Sequence, residues 1–170
     1  MKHMQTGGFQ SHPLMRLTLL WSLLFLAGLW ITNAAMYFSR MGLTPSSVRS
    51  YYLGSAEEFS QPRSFASLLE VSHNHLPIMG IVLLMLTHLM IFSPFSDRTK
   101  RTFISLSFLS ALVHEASGWL VRFVDGRFAF LKIAGFLAFQ ASLAFLILTL
   151  ALFLARGSES TRRAGSSRQV

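Results

Sequence analysis

The sequence predicts an all-α protein, an integral membrane four-helix up-down bundle. Three observations predict it. The composition is apolar: of 170 residues 52% are hydrophobic and only 13% charged, with 16 Phe and a mean hydropathy of +0.48. Charge is confined to short patches between four long stretches. Residues 17–39 and 71–96 carry no charge, 102–113 are apolar or hydroxylic, and 133–155 are uncharged. The links between the last three stretches are short, which makes their helices antiparallel neighbours. A helix needs roughly 20 apolar residues to cross a ~30 Å hydrocarbon core. Lipid offers no partner to a free backbone group, so each stretch must be helical.

Taken in order, residues 1–15 form a loose tail containing His3 and His12. The first span covers 16–38. Small residues at 32-TNAA-35 resemble a signal cleavage site, but the apolar run is longer than a signal core and is read as an uncleaved span. The loop 39–69 is too long to lack structure. Within it Phe59, Phe65, Leu68 and Leu69 fit an interfacial amphipathic helix, while Tyr51 and Tyr52 suit the headgroup belt. Spans two, three and four cover 70–93, 102–121 and 128–155, and 156–170 is a small, polar, basic tail read as disordered.

Net charge is +8, distributed over the flanks of the spans. That pattern marks topology and contact with membrane lipids, and it excludes a nucleic-acid partner. Nine of the 15 Lys and Arg residues lie in the two tails and the Arg98–Lys100–Arg101 turn, against six in the opposite loops. The positive-inside rule then places both termini in the cytoplasm of a bacterial inner membrane. The absence of cysteine excludes covalent haem attachment, iron–sulfur clusters, thiolate zinc sites and disulfides.

Ionisable groups inside spans are costly and are candidates for function. Here they are His73, His75, His88, His114 and Glu115. At 100° per residue His73 and His75 point about 200° apart, whereas His73 and His88 are about 60° apart and ~22 Å distant along the axis. Aligning Glu70 with Arg122 brings His75 and His114 to within ~4–5 Å in depth. One bis-histidine site for haem b follows, with His73 or His75 and His114 as axial ligands. Gly80 and Gly118 would admit a flat macrocycle, or simply allow close packing of spans. Arg122 and Arg63 would meet propionates. No partner emerges for His88.

Pro77 leaves two geometries open. A helix running through it keeps the haem reading. A helix starting near Asn74 makes Glu70, His73 and His75, with His114 and Glu115, a site for a divalent metal, with N and O ligands only. Glu115 is expected to pair with Arg122, or else to serve a proton relay. Lys132 is expected to snorkel, and Gln140, Asn33 and Thr32 to join neighbouring helices.

The pattern E-x-x-H-x-H from Glu70, the apolar span with His88, and H-x-x-S-x-W-L-V-R from His114 resemble short four-span bacterial membrane proteins of unassigned function. The architecture is also similar to four-helix membrane cytochrome b subunits, which offer paired histidines on two helices. The resulting expectation is a b-type haem subunit of a quinol-linked electron-transfer complex, with other subunits, quinone and a periplasmic cytochrome c as partners. A metal-handling or assembly protein, and a purely structural membrane subunit, are the alternatives.

Overall fold

The computed structural model describes residues 12–57 and 59–166, with 156–166 as backbone only. Four long helices form the bundle: α1 (Pro13–Phe38), α3 (Phe65–Met90), α4 (Asp97–Phe123) and α5 (Ala129–Ser166). A short helix, α2 (Pro45–Leu53), lies between α1 and α3, and a 3-10 turn (Gly126–Phe128) leads into α5. All four long helices carry stretches long and apolar enough to cross a membrane. Large apolar side chains such as Phe25, Leu84, Leu109 and Leu148 stand exposed on them. Such a surface would be untenable in water and fits lipid.

Each start follows from local chemistry. Pro13 and Pro45 occupy first-turn positions where no N–H is needed. Thr44, Ser64 and Ser96 accept a hydrogen bond from the backbone N–H three residues on, capping α2, α3 and α4. Gly54 ends α2 at φ +80°, and a Cβ there would stand 2.6 Å from the Ser60 carbonyl oxygen. Ser55 and Ser60 bridge, and Arg63 N–H donates to the Tyr52 carbonyl, folding the loop back onto α2.

Several expectations change. Helix α3 begins at Phe65, so Phe65, Leu68 and Leu69 belong to the span; the interfacial helix is α2, and Phe59 is an exposed turn residue. Ser64 supplies the cap that starts the helix early. Tyr52 is buried against the bundle rather than half wet. The backbone of α5 stays helical through 156–166, where a tail without helix was expected; no proline interrupts it. Residues 1–11 of the N-terminal tail, and 167–170, lie outside the described residues.

The most extensive contact joins α4 and α5, and α1 packs mainly on α5. Small and hydroxylic residues line the buried face of α4: Ser107, Ser110, Ala111, His114, Ser117 and Gly118. The three serines donate to carbonyls of their own helix, so their hydroxyls are satisfied as the backbones close up. Gly135 on α5 sits where a Cβ would come 3.0 Å from the backbone of His114. Two core clusters result. One is aliphatic and runs along α1, α3, α4 and α5; the other is aromatic and lies where α1 and α4 end and α3 and α5 begin, beneath α2.

Candidate functional site

The polar residues of the spans gather in that second region, the α2 end of the bundle. Four helices contribute to it. Tyr37 is at the last turn of α1, His75 lies ten residues into α3, Glu115 lies eight residues before the end of α4, and Lys132 lies three residues into α5. Together with Tyr52 and His114 they line a cavity of about 100 Å³.

Glu115 is the centre of the network. Its Oε1 accepts a short hydrogen bond from Ser72 Oγ, and Ser72 Oγ accepts one from Trp119 Nε1 at 2.8 Å. Its Oε2 lies 3.4 Å from His75 Nδ1. The carboxylate is nearly enclosed, at 10% side-chain exposure, whereas His75 is 42% exposed. That difference makes His75 the link between the buried acid and the bundle surface.

Lys132 closes the other side. It is buried, and its Nζ donates to the His114 carbonyl at 2.7 Å and approaches His114 Nε2 at 3.5 Å. It also faces the Tyr52 ring at 5.9 Å. The His114 ring is packed among Phe136, Phe139 and Tyr37, and its Nδ1 has no partner among the described residues. Burial pushes the Tyr52 hydroxyl above its ordinary range, so it stays a neutral donor. A buried ammonium and a buried carboxylate thus share one small cavity, each satisfied by hydrogen bonds, as low-dielectric burial requires.

The structure brings together His75, His114, Glu115 and Gly118 of the residues singled out from sequence, and separates the others. Glu70, His73, Gly80 and His88 all lie on the exposed face of α3. The α3 helix passes through Pro77 without ending, so His73 and His75 point to different sides of one helix. His88 contacts Phe92 of its own helix edge-on. Gly118 makes room for Tyr52, whose hydroxyl would meet an added Cβ at 2.8 Å. Arg122 donates to the Arg63 carbonyl at 2.7 Å, and the Arg63 guanidinium lies over the Tyr51 ring. Glu115 therefore does not pair with Arg122; the two are seven residues apart on α4, about 10 Å along the axis. Lys132 does not snorkel, and Thr32 bonds within its own helix.

The cavity's size and lining lend no support to either expected cofactor. Small-molecule pockets run to ~300 Å³ and above. A cavity of about 100 Å³ packed with rings falls well short of a haem. Of the histidines considered as ligands, His75 and His114 line it, whereas His73 and His88 are exposed elsewhere on α3. Among the described residues no three His, Cys, Asp or Glu side chains converge as metal ligands.

Sequence reasoning overlooked Ser72 and Trp119 and misplaced Lys132. The signal for Lys132 was present. It shares helical spacing with Ala129, Phe136, Phe139 and Leu143, all of them buried.

The four long apolar helices define a multi-pass membrane protein. The chain belongs to a family whose model describes a transmembrane helical domain and matches residues 42–161, which takes in α2 to α5 and leaves α1 outside. No curated protein and no solved structure matches the chain. The resemblance to a membrane-helical family of unassigned function thus holds, while the likeness to cytochrome b subunits finds no support.

Proposed function

We propose that the protein is a membrane subunit that relays protons through its α2 end, with Glu115 as the proton carrier and His75 as its exchange partner. One observation carries this reading: a carboxylate enclosed within the bundle is hydrogen-bonded to an imidazole that reaches the surface. A proton on His75 Nδ1 would pass to Glu115 Oε2 along that contact, with the half-exposed imidazole as the side from which it arrives. Ser72, itself fixed by Trp119, holds the second carboxylate oxygen and orients the acid. The cavity is about 100 Å³ and part of its lining is polar, which supports a place for water beside the carboxylate.

The distribution of Lys and Arg supports placing the α2 end at the outer face of a bacterial inner membrane. There the relay would release protons taken from quinol by an electron-transfer complex. The electron carriers would then reside in partner subunits.

Infrared difference spectroscopy of the reconstituted protein tests the relay. A carboxyl band is expected that titrates with pH, shifts in D₂O and vanishes in Glu115→Gln. In His75→Ala the band should persist but exchange with deuterium on the order of a hundredfold more slowly. Unchanged exchange in that variant would rule the relay out.

A further inference from the structure

A second cavity, of about 150 Å³, lies beside the first at the α2 end, and the two share Arg40 and Tyr51. We infer that it is a binding site for a phosphate-bearing group, held by the guanidinium groups of Arg40 and Arg63 and by serine hydroxyls. The argument starts from Tyr51, which gathers both arginines. Its hydroxyl accepts from the Arg40 guanidinium at 3.1 Å, and the Arg63 guanidinium stacks over its ring at 4.2 Å. Two permanent positive charges are thereby held against one side chain, and both face the same cavity.

The walls add donors. Ser47, Ser50 and Ser60 line the cavity. Ser47 Oγ accepts from the Gly42 N–H at 2.8 Å, and Ser60 Oγ accepts from the Ser55 N–H at 3.0 Å. Each of these oxygens accepts a bond and keeps its own proton available to donate. Among the described residues no carboxylate lines the cavity, and neither arginine has an acidic partner. The site offers positive charge and hydroxyl donors at one point, with forked guanidinium groups suited to an oxyanion. It needs a multiply accepting anion, and phosphate supplies three or four oxygens.

Two sources share that chemistry: a phospholipid headgroup and free phosphate. Helices of 26 residues rise about 39 Å, which sets α2 near headgroup level when the hydrocarbon core is ~30 Å thick. The test uses the full chain in a neutral detergent without phosphate. Inorganic phosphate is titrated against wild type, Arg40→Gln/Arg63→Gln and Ser60→Asp, with helicity and monodispersity as folding controls. In parallel the three proteins pass through nanodiscs of mixed phosphatidylglycerol and phosphatidylcholine, and retained lipid is read by native mass spectrometry. Expected is a loss of at least about tenfold in one of these affinities in both variants. Loss in the phosphate titration identifies the free anion, and loss of retained phosphatidylglycerol identifies the lipid. Equal phosphate affinity and equal lipid retention in wild type and in whichever variant folds would overturn the site. Ser60→Asp leaves both arginines in place, so it decides the matter should the double variant fail to fold.

Discussion

At the scale of single residues, Lys132 shows how much a buried charge depends on a few atoms. Its ammonium is held by the His114 carbonyl and shares a cavity with Glu115. Replacing it with Met removes a charged hydrogen bond and leaves the carboxylate without a nearby cation. A loss of about 2 kcal/mol is expected, measured by unfolding in mixed micelles. Ser72 is a comparable case, because it donates to Glu115 and accepts from Trp119. Ser72→Ala deprives both neighbours at once and should cost about 1–3 kcal/mol. Thr32→Ala, which removes only a bond within one helix, should cost distinctly less. The candidate site was only partly legible at this scale. His75, His114 and Glu115 stand out as ionisable groups in apolar runs, but a serine and a tryptophan carry no such flag. Their roles depend on which face of α3 meets which face of α4, and spacing along one chain does not give that.

At the scale of elements, the α4–α5 seam is where side-chain volume matters most. An added Cβ at Gly135 meets the His114 backbone at 3.0 Å, and a backbone cannot swing aside as a side chain can. Gly135→Ala should therefore destabilise by about 1–3 kcal/mol. At Gly80 nothing lies within 4 Å, so Gly80→Ala should be neutral or stabilise by up to ~1 kcal/mol through helix propensity. Thermal unfolding should come at a lower temperature in Gly135→Ala and at the same or a higher one in Gly80→Ala. A haem accommodated at Gly80 would instead make that substitution disruptive. The four spans themselves were legible because lipid imposes a length and a composition on each. Their ends were less so. Ser64 started α3 five residues before the expected boundary, because a capping hydroxyl outweighs a change in hydropathy. Pro77 left two geometries open in the sequence, and the continuous helix settles between them.

At the scale of the whole molecule, the cysteine-free chain allows a clean test of orientation. A cysteine in place of Gln61, in the loop after α2, should react with a membrane-impermeant maleimide added outside intact cells. One in place of Thr99, at the start of α4, should react only after the membrane is opened. The reverse pattern would place the termini outside and reverse the direction proposed for proton release. The architecture was readable from charge and hydropathy, but the order of packing was not. Sequence order makes α1 and α3 natural neighbours, yet α1 leans chiefly on α5, and the Trp30 indole N–H donates to the Gln140 carbonyl across 110 positions of chain.

That last contact bears on how the protein is made. Helix α1 finds its principal neighbour only when α5, which follows it in the chain, has entered the bilayer. Until then Tyr37 has no Phe136 to stack on, and the polar cavity lacks both the wall that α1 gives it and the ammonium of Lys132. Synthesis thus delivers an unfinished cavity, with Glu115 and His75 already in the membrane and the charge that balances them still to come. A chaperone or a partner subunit that shields this interval would act on the nascent chain, before the bundle exists.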